Sequence, residues 1–316
     1  MTASIIIGAG GFLGSHLSKN LLARGRSVTA ILKPSTNTEL LRTLAPGAEI
    51  RRIAPDDAAG LTRLFEERRS NTIYYVAGSP RLSAENIFDE VEALLQPAML
   101  NLLAVLRAAA QCKFPPPVFV RAGTLAEYGD APTPHSEEMR CIPSTVYGAC
   151  ALCGSRMLEV VGNSMPFRVA NARLALMYGW GQSAQFLLPL MIERFLSGKP
   201  VTINDPDAVR DLIHVDDACE ALIALADTQN ATPGPINIGS GEALSMGDAA
   251  EIILQITGAA RSLVLTGDPS KRTGSRRLEM TTDRAAELVG WRARIGFRDG
   301  IQSLIEEVRH NEGKGR

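Results

Sequence analysis

The stretch 4–14 limits what this chain can fold into more than any other segment. The apolar residues 5–7 predict a buried parallel strand, which stops in a glycine-rich turn. Leu17 and Leu21 then recur at helical spacing, and Gly25 predicts the end of that helix. A strand, a tight turn and a helix form half of a dinucleotide-binding fold, in which backbone N–H groups at the helix N-terminus face a pyrophosphate.

The spacing of the glycines in this turn is G-x-x-G-x-x-G, because a G-x-G-x-x-G pattern would need glycine where Leu13 stands. An ordinary strand-to-helix turn is the alternative interpretation. The position of the pattern at a strand–helix boundary favours a bound dinucleotide. We therefore expect the cofactor to contact Gly8, Gly11, Phe12, Leu13 and Gly14.

Composition and charge argue against several classes of function. The 316 residues carry a formal net charge of −1, which indicates neither a nucleic-acid groove nor an acidic membrane surface as partner. No apolar run reaches the length of a membrane span, and the first strand begins too early to leave room for a secretory signal. The five cysteines include a C-x-x-C at Cys150 and Cys153, but no second pair or nearby histidine supports a metal site. We expect a cytoplasmic protein with reduced, buried thiols.

Apolar strand patterns and helical patterns alternate along the first half of the chain. Strands are predicted at 28–32, 48–53, 71–78, 118–122 and 167–176, and helices at 61–69, 84–111 with a bend at Pro97, and 145–162. This alternation predicts an α/β fold with a Rossmann doubly wound parallel sheet. Shorter elements, broken by proline and glycine, follow Tyr178. We predict a dinucleotide-binding domain over 1–170 and a smaller C-terminal α/β substrate lobe over 171–316, with some segments returning to the first domain.

The ends of two predicted strands bear on the cofactor. In a dinucleotide fold an acid after the second strand binds the ribose of NAD, whereas a basic residue favours the 2′-phosphate of NADP. Lys33 follows that strand and no acid comes before Glu39, so we predict NADP, with NAD as the alternative. A solvated loop lysine is a serious competing interpretation. The fourth strand ends in the small residues Ala77 and Gly78, across which a cofactor can lie.

The order of the motifs resembles the extended short-chain dehydrogenase/reductase family, which includes nucleotide-sugar epimerases, dehydratases and ketoreductases. The likeness covers nearly the whole chain. It rests on the glycine turn, Thr124 with Tyr128-Gly129, Tyr147-Gly-Ala, Arg173 with Tyr178-Gly179, the segment 210–217 and Asn237-Ile-Gly239. Each motif alone is weak, but their common order is specific.

This resemblance implies that Tyr147 is the acid/base at a sugar oxygen and that Thr124 hydrogen-bonds the same oxygen beside a nicotinamide. A free tyrosine has a pKa of about 10, so it needs a nearby positive charge to act at neutral pH. Relatives supply a lysine one helical turn after the tyrosine, but this chain has Ala151 at that position.

Three interpretations of Ala151 stay open. It is an engineered replacement of lysine, or a natural enzyme relies on the nicotinamide charge or another cation, or the protein binds cofactor without catalysis. Because Thr124 and Tyr147 both remain, we favour the first two. In every case we expect slow hydride transfer, and we expect Ala151→Lys to raise the rate by orders of magnitude.

The residues after Thr124 bear on the reaction. Relatives that remove water from the sugar carry Asp-Glu there, whereas this chain has Leu125 and Ala126, which transfer no proton. The form Gly-Thr-x-x-Glu-Tyr-Gly instead resembles the 4-ketoreductases. We therefore predict NADPH-dependent reduction of a 4-keto nucleotide sugar. A 4-epimerase with bound NAD is the alternative, and a non-catalytic NAD(P)-binding protein is a further one.

Besides Thr124, three residues are candidates for holding the nucleotide sugar. Arg210 is suited to grip a diphosphate, although a salt bridge to Asp211 or Asp216 is a competing interpretation. Glu127 is either a substrate-side residue or a structural one, and Arg272 either reaches the nucleotide or lies in a solvated loop. The resemblance also implies a homodimer built from the helical regions 85–111 and 147–162.

Overall fold

A seven-stranded parallel sheet organises the molecule. The computed structural model describes residues 2–78, 86–230, 234–271 and 274–314. The strands are β1 Ala3–Ile7, β2 Ser27–Leu32, β3 Glu49–Arg52, β4 Thr72–Tyr75, β5 Val118–Thr124, β6 Arg168–Leu174, β7 Leu176–Tyr178, β8 Val201–Ile203, β9 Val209–His214, β10 Pro235–Ile238, β11 Ala243–Ser245, β12 Val264–Thr266 and β13 Arg277–Leu278. The α-helices are α1 Phe12–Ala23, α2 Glu39–Leu44, α3 Ala58–Arg68, α4 Ile87–Leu95, α5 Asn101–Gln111, α6 Val146–Val161, α7 Leu187–Leu196, α8 Val215–Asp227, α9 Met246–Thr257, α10 Asp283–Val289 and α11 Phe297–Lys314.

The strand order β3-β2-β1-β4-β5-β6-β10 confirms the predicted Rossmann architecture. The chain runs outward from β1 to β3 and then returns to β4 on the other side of β1, so the order reverses between β1 and β4. In open α/β sheets ligands bind at such a reversal, outside the carboxyl ends of the strands. Ile5, Ile73 and Phe119 are fully buried on adjacent strands and belong to one apolar cluster, which forms where helices pack on the sheet.

The predicted boundary at 170/171 falls inside β6, which stays in the large sheet as far as Leu174. The single strand predicted over 167–176 is two strands, because the chain leaves the large sheet at Ala175 and β7 pairs with β9 instead. Two later segments lie against elements of the large sheet: β10 pairs with β6, and α8 packs on α1 and β5. The C-terminal lobe holds the sheet of β7, β9, β11 and β13, the pair β8–β12, and an apolar core of its own.

The predicted bend near Pro97 is a π-helical turn, Gln96–Leu100, that joins α4 to α5. Proline has no N–H to donate within a helix, so a local widening of the helix at this residue has a physical cause. The expectation that no apolar run reaches the length of a membrane span is wrong by length and composition, because among the described residues the segment Ile87–Gln111 meets both measures. This segment packs against α3 and α6, as a core helix of a globular protein does.

Candidate active site

In the glycine turn after β1, backbone segments lie so close together that a side chain would not fit between them. Gly8 has φ +91°, and a Cβ there would lie 2.8 Å from the backbone of Ala77 at the end of β4. A Cβ on Gly14 would lie 2.3 Å from the Gly8 carbonyl oxygen. Both positions therefore require glycine, and together they bring the start of α1 against the carboxyl ends of β1 and β4.

The N-terminus of α1 fits a pyrophosphate. Gly11 is its N-cap, no side chain caps it, and no acidic residue lies in its first turn. The first N–H groups of a helix carry a partial positive charge and need an acceptor, so this terminus favours an anion. Leu13 is buried in the core, so it offers a ligand only its backbone, whereas Phe12 packs edge-on against His16. The five residues predicted as cofactor contacts all lie in the glycine turn or at the start of α1, and Leu13 and Gly14 among them are buried.

The loop after β2 lies beside this turn, because a Cβ on Gly10 would meet the Thr36 side chain at 2.6 Å. Lys33 is exposed at the start of the loop. Arg52, at the end of β3, donates from one nitrogen to the carbonyl oxygens of Lys33, Pro34 and Thr36 at 3.2, 2.6 and 3.3 Å. The sequence reasoning missed Arg52. Its guanidinium holds the loop in shape and adds a second positive charge beside Lys33.

Thr124 and Tyr147 line one cavity, whose volume is about 50 Å³. The other lining residues come from the end of β4, from α4 and the π-helical turn, from β5 and from α6: Tyr75, Ala77, Gly78, Leu94, Pro97, Ala98, Arg121, Ala122, Gly123 and Ala151. Ala77 and Gly78, predicted as cofactor contacts, therefore belong to the same hollow as the predicted catalytic pair.

Local structure explains why Tyr147 reaches Thr124. Thr145 caps α6 by accepting from the Gly148 N–H at 3.1 Å, which fixes Tyr147 in the first turn. A Cβ on Gly148 would lie 2.3 Å from the Ala126 carbonyl oxygen, so α6 packs directly on the 3₁₀ turn Leu125–Glu127. Thr124 ends β5 and caps that same turn by accepting from the Ala126 N–H at 3.2 Å.

The surroundings of Tyr147 keep its phenol protonated. Burial raises the pKa of Tyr147 above its ordinary value. A hydrogen bond with the Thr124 side chain lowers that pKa, the carboxylate of Glu127 raises it, and the guanidinium of Arg121 lowers it, in decreasing order of size. A protonated phenol beside a threonine hydroxyl is a hydrogen-bond and proton donor for an oxygen in the cavity.

Glu127, predicted to be either on the substrate side or structural, has a structural place. It is fully buried, and its Oε2 accepts from Arg173 Nε at 2.7 Å and from Ser155 Oγ at 2.6 Å. Its Oε1 accepts from the Thr124 N–H at 3.3 Å, which completes a capping box. Glu127 does not line the cavity, so its position does not support the prediction that it contacts substrate.

Other motif residues are also structural. Tyr128 is fully buried and donates to Asn237 Oδ1 at 2.8 Å, so two of the sequence motifs meet inside the protein. Burial raises the pKa of Tyr128 to about 12. His214 caps α8 through Nδ1, which accepts from the Asp216 N–H at 3.2 Å, and burial lowers the pKa of His214. These groups hold elements together and do not reach the cavity.

The predicted substrate arginines lie in the C-terminal lobe. Arg210, on β9, donates to the carbonyl oxygens of Val209 and Arg276 at 2.7 and 3.0 Å, and it is outside the lining of the cavity. The competing interpretation named Asp211 and Asp216; Asp211 accepts a hydrogen bond from the Ser240 N–H and Asp216 accepts one from the Asn20 side chain. Arg272 lies outside the described residues.

The segment just after Arg272 touches the start of α6. The hydroxyls of Ser275 and Ser144 are 2.9 Å apart, and a Cβ on Gly274 would meet the Thr145 side chain at 3.3 Å. The C-terminal lobe therefore borders the helix turn that carries Tyr147. All five cysteines are free, four of them buried, and the described residues contain no group of three or more histidine, cysteine or acidic side chains suited to a metal ion.

Comparisons with known proteins agree with this geometry. Residues 4–239 match the model of the NAD dependent epimerase/dehydratase family. A dTDP-6-deoxy-L-talose 4-dehydrogenase (NAD(P)(+)) of Kitasatospora kifunensis is 24% identical over 312 residues, which cover 95% of this chain and 93% of that protein. A UDP-glucose 4-epimerase of Mycolicibacterium smegmatis is 25% identical, with 97% and 98% covered.

Among solved structures, the UDP-glucose 4-epimerase of Thermus thermophilus in complex with NAD is similar over 98% of this chain and 99% of its own. The TM-score is 0.83 and the sequence identity is 25%. Fold, motif order and family match agree, so this chain belongs to the NAD dependent epimerase/dehydratase family, whose members are nucleotide-sugar epimerases, dehydratases and reductases that use a nicotinamide cofactor.

Proposed function

We propose that this protein is an NADPH-dependent reductase of a 4-keto nucleotide sugar. The observation that carries the proposal is the pairing of the Thr124 and Tyr147 side chains in one hollow, which continues to Ala77 and Gly78 beside the glycine turn. A ketone accepts hydride at carbon only as its oxygen gains a proton. Two hydroxyl groups beside a dinucleotide surface meet that need.

The residues present fit a nicotinamide dinucleotide. The close approach at Gly8 and Gly14 and the uncapped N-terminus of α1 suit the pyrophosphate. Lys33 and Arg52 bring two positive charges to the loop after β2, where the 2′-phosphate of NADP would lie. When bound, NADPH supplies the hydride for the carbonyl carbon.

Tyr147 donates a proton to the carbonyl oxygen, and Thr124 hydrogen-bonds the same oxygen. The phenolate left on Tyr147 then regains its proton from solvent, so the residue returns to its starting state. Burial raises the pKa of Tyr147, which favours the protonated phenol at neutral pH. That form suits reduction, whereas oxidation of a hydroxyl needs the phenolate. Leu125 and Ala126 transfer no proton, which disfavours loss of water as the main reaction.

The second candidate is a nucleotide-sugar 4-epimerase that keeps NAD bound. It is favoured by the 25% identity to a UDP-glucose 4-epimerase that covers nearly the whole of both chains. The two candidates differ in the fate of the cofactor, because a reductase consumes NADPH and an epimerase returns its cofactor unchanged.

The test is a screen of 4-keto sugars linked to CDP, GDP, UDP and dTDP, with NADPH or NADH, followed at the nicotinamide absorbance band. We expect one substrate to oxidise NADPH in proportion to product formed, with NADPH preferred over NADH. Interconversion of C4 epimers without net cofactor change would establish the epimerase instead. Cofactor binding without either reaction would leave a binding protein.

Cofactor preference has a matched pair of variants. We expect Lys33→Glu to raise KM for NADPH by about tenfold and leave KM for NADH unchanged, because only NADPH brings a 2′-phosphate to this loop. Lys199→Glu changes the same charge at an exposed lysine of the C-terminal lobe and should alter neither value. Equal effects of Lys33→Glu on both cofactors would contradict the NADP assignment.

We propose further that the enzyme is a cytoplasmic homodimer. Exposed apolar side chains lie along α4, the π-helical turn, α5 and the outer face of α6: Ile87, Phe88, Val91, Leu100, Leu103 and Val160. A second copy presenting the same surface would cover them. The free cysteines fit a reducing compartment.

A further inference from the structure

We propose that Arg121, on β5, supplies the positive charge that the phenol of Tyr147 needs for proton transfer. The inference rests on the proposed role of Tyr147 as proton donor. It makes Arg121 a positioning residue, which acts through Tyr147 and is not required to touch the substrate. A phenol that has given up its proton is a buried anion, and a buried anion without a nearby cation is costly.

The first support is location. Arg121 lines the same cavity as Tyr147 and Ala151. One guanidinium nitrogen, Nη2, donates to the Ala151 carbonyl oxygen at 2.8 Å, so the cation reaches α6 one turn after Tyr147. A Cβ on Gly154 would lie 2.9 Å from the same nitrogen, so the glycine leaves room for it. Arg121 thus extends from β5 to the turn of α6 that contains Ala151, and it brings to that turn the positive charge that alanine lacks.

The second support is the balance of charge around Arg121. Its Nη1 donates to the neutral groups Ser155 Oγ and Asn171 Oδ1 at 2.8 and 2.9 Å. Glu127 is 3.5 Å from Arg121 but only 2.7 Å from Arg173. All three charged side chains are buried. Two guanidinium groups and one carboxylate leave one positive charge in excess, and the tighter ion pair belongs to Arg173.

The third support is what else faces Tyr147. The described groups that act electrostatically on its phenol are Glu127, which raises its pKa, and Arg121, which lowers it. The elements packed on α6 bring apolar Leu94 and Pro97 to the cavity. Glu90 of α4 acts on the Cys150 thiol, and the Tyr75 phenol is held by the Pro97 carbonyl at 2.5 Å. Among the described residues, Arg121 is therefore a cation close enough to stabilise the Tyr147 phenolate.

The proposal changes what Ala151→Lys should do. The sequence alone predicts a gain of orders of magnitude, because it shows no other cation. With Arg121 already in place, we expect Ala151→Lys to change kcat by less than about tenfold and to lower KM for the cofactor. In an Arg121→Gln background the same lysine should restore most of the lost kcat.

The direct test titrates the Tyr147 phenol by its ultraviolet absorbance, taken as the difference between each protein and its Tyr147→Phe counterpart, with NADP bound. Arg121→Gln should raise the phenol pKa, because it removes a nearby positive charge. Glu127→Gln should lower it, since that change removes a negative charge. Ser155→Ala removes a neutral hydrogen-bond partner of Arg121 and Glu127 and should leave the pKa of the Tyr147 phenol unchanged. A purely structural role for Arg121 would not move the two charge variants in opposite directions.

Each outcome decides the proposal. An unchanged phenol pKa in folded Arg121→Gln overturns it. If Arg121→Gln does not fold, Ala151→Lys in the otherwise unaltered protein decides, because a gain in kcat of more than about a hundredfold would mean that no cation serves Tyr147 already. The phenol titration needs no sugar substrate. Absence of turnover with every nucleotide sugar would therefore count against the proposed function, and an unshifted phenol pKa against the role of Arg121.

Discussion

At the scale of the residue, the proposed chemistry depends on one oxygen atom, the hydroxyl of Tyr147. We expect Tyr147→Phe to lower kcat by about 10²- to 10⁴-fold, the usual contribution of a general acid, while KM for the nucleotide sugar stays nearly unchanged. Tyr178→Phe is the matched control, because Tyr178 is a fully buried phenol whose hydroxyl has no hydrogen-bond partner among the described residues. Retention of more than about a tenth of kcat by Tyr147→Phe would remove it from the reaction.

Single residues differ in how far the sequence predicts them. The order of the motifs predicts Thr124 and Tyr147 as site residues. The structure brings them to one cavity because Thr124 ends β5 and Tyr147 lies in the first turn of α6. Arg121 carried no such signal, since it lies within an apolar strand pattern. Its charge matters only through partners far along the chain, among them Ser155 and Asn171. A local sequence pattern gives no information about contacts between residues so far apart along the chain.

At the scale of the element, β1, its turn and α1 form the surface for the cofactor. We expect Gly14→Ala to abolish measurable NADP binding and to destabilise the fold by several kcal/mol, because its Cβ would lie 2.3 Å from the Gly8 carbonyl oxygen. Gly47→Ala is the control, since its Cβ would lie 3.7 Å from Leu22, an ordinary contact. Calorimetric titration with NADP and urea unfolding measure both effects. Normal binding by Gly14→Ala would exclude the turn as the pyrophosphate site.

A second prediction concerns the contact between α1 and α8. The His16 ring, whose Nδ1 lies 3.7 Å from the carboxylate, and a hydrogen bond donated by Asn20 hold the pKa of Asp216 well below its usual range, against burial, which raises it. Because the folded pKa lies below the unfolded value of about 4, the carboxylate contributes stability above that pH. The contribution is lost as the pH falls through the folded pKa.

We therefore expect Asp216→Asn to lower the free energy of unfolding by about 1 kcal/mol at pH 7. The difference in unfolding free energy between this variant and the unaltered protein should become smaller below about pH 4. Urea unfolding at a series of pH values measures it. Asp56→Asn, at an exposed loop position, should show no such difference at any pH. If the difference in unfolding free energy between Asp216→Asn and the unaltered protein grows as the pH falls, the carboxylate does not stabilise the fold in the proposed way.

Elements were predictable where the pattern is local. The strands near β1, β2, β4 and β5 follow apolar runs, and Gly25 ends α1 with φ +70° as expected. The sequence shows part of β10 only as a motif and does not predict it as a strand, because its strand character depends on pairing with β6. The break between β6 and β7 was missed for the same reason: both halves are apolar, and only their partners differ.

At the scale of the whole molecule, the chain passes back and forth between its two larger sheets. β6 belongs to the large sheet, β7 and β9 to the smaller one, and α8 and β10 return to the first. A division into two consecutive domains therefore describes the chain less well than two lobes joined by several crossings. The Tyr147 end of α6 lies where the lobes meet, through the contact of Ser144 with Ser275. Sequence predicts the lobes but not these crossings, which depend on long-range pairing.

The last prediction concerns assembly. Phe88 and Val160 are each 76% exposed, on α4 and α6, and burial of such side chains against a second copy is worth about 1.5–3 kcal/mol each. We expect a dimer by sedimentation velocity, and we expect Phe88→Asp combined with Val160→Asp to give a folded monomer. Leu265→Asp places the same charge on a residue that is 46% exposed on β12, and it should leave the dimer intact.

The monomeric variant also separates assembly from catalysis. The cavity is lined within one chain by β4, α4, β5 and α6, so a monomer keeps every described lining residue. Because α4 and α6 form both the cavity wall and the proposed interface, loss of the partner should loosen the wall and raise KM more than it lowers kcat. If the unaltered protein sediments as a single chain with full activity, the proposal that a second copy covers these apolar faces is wrong.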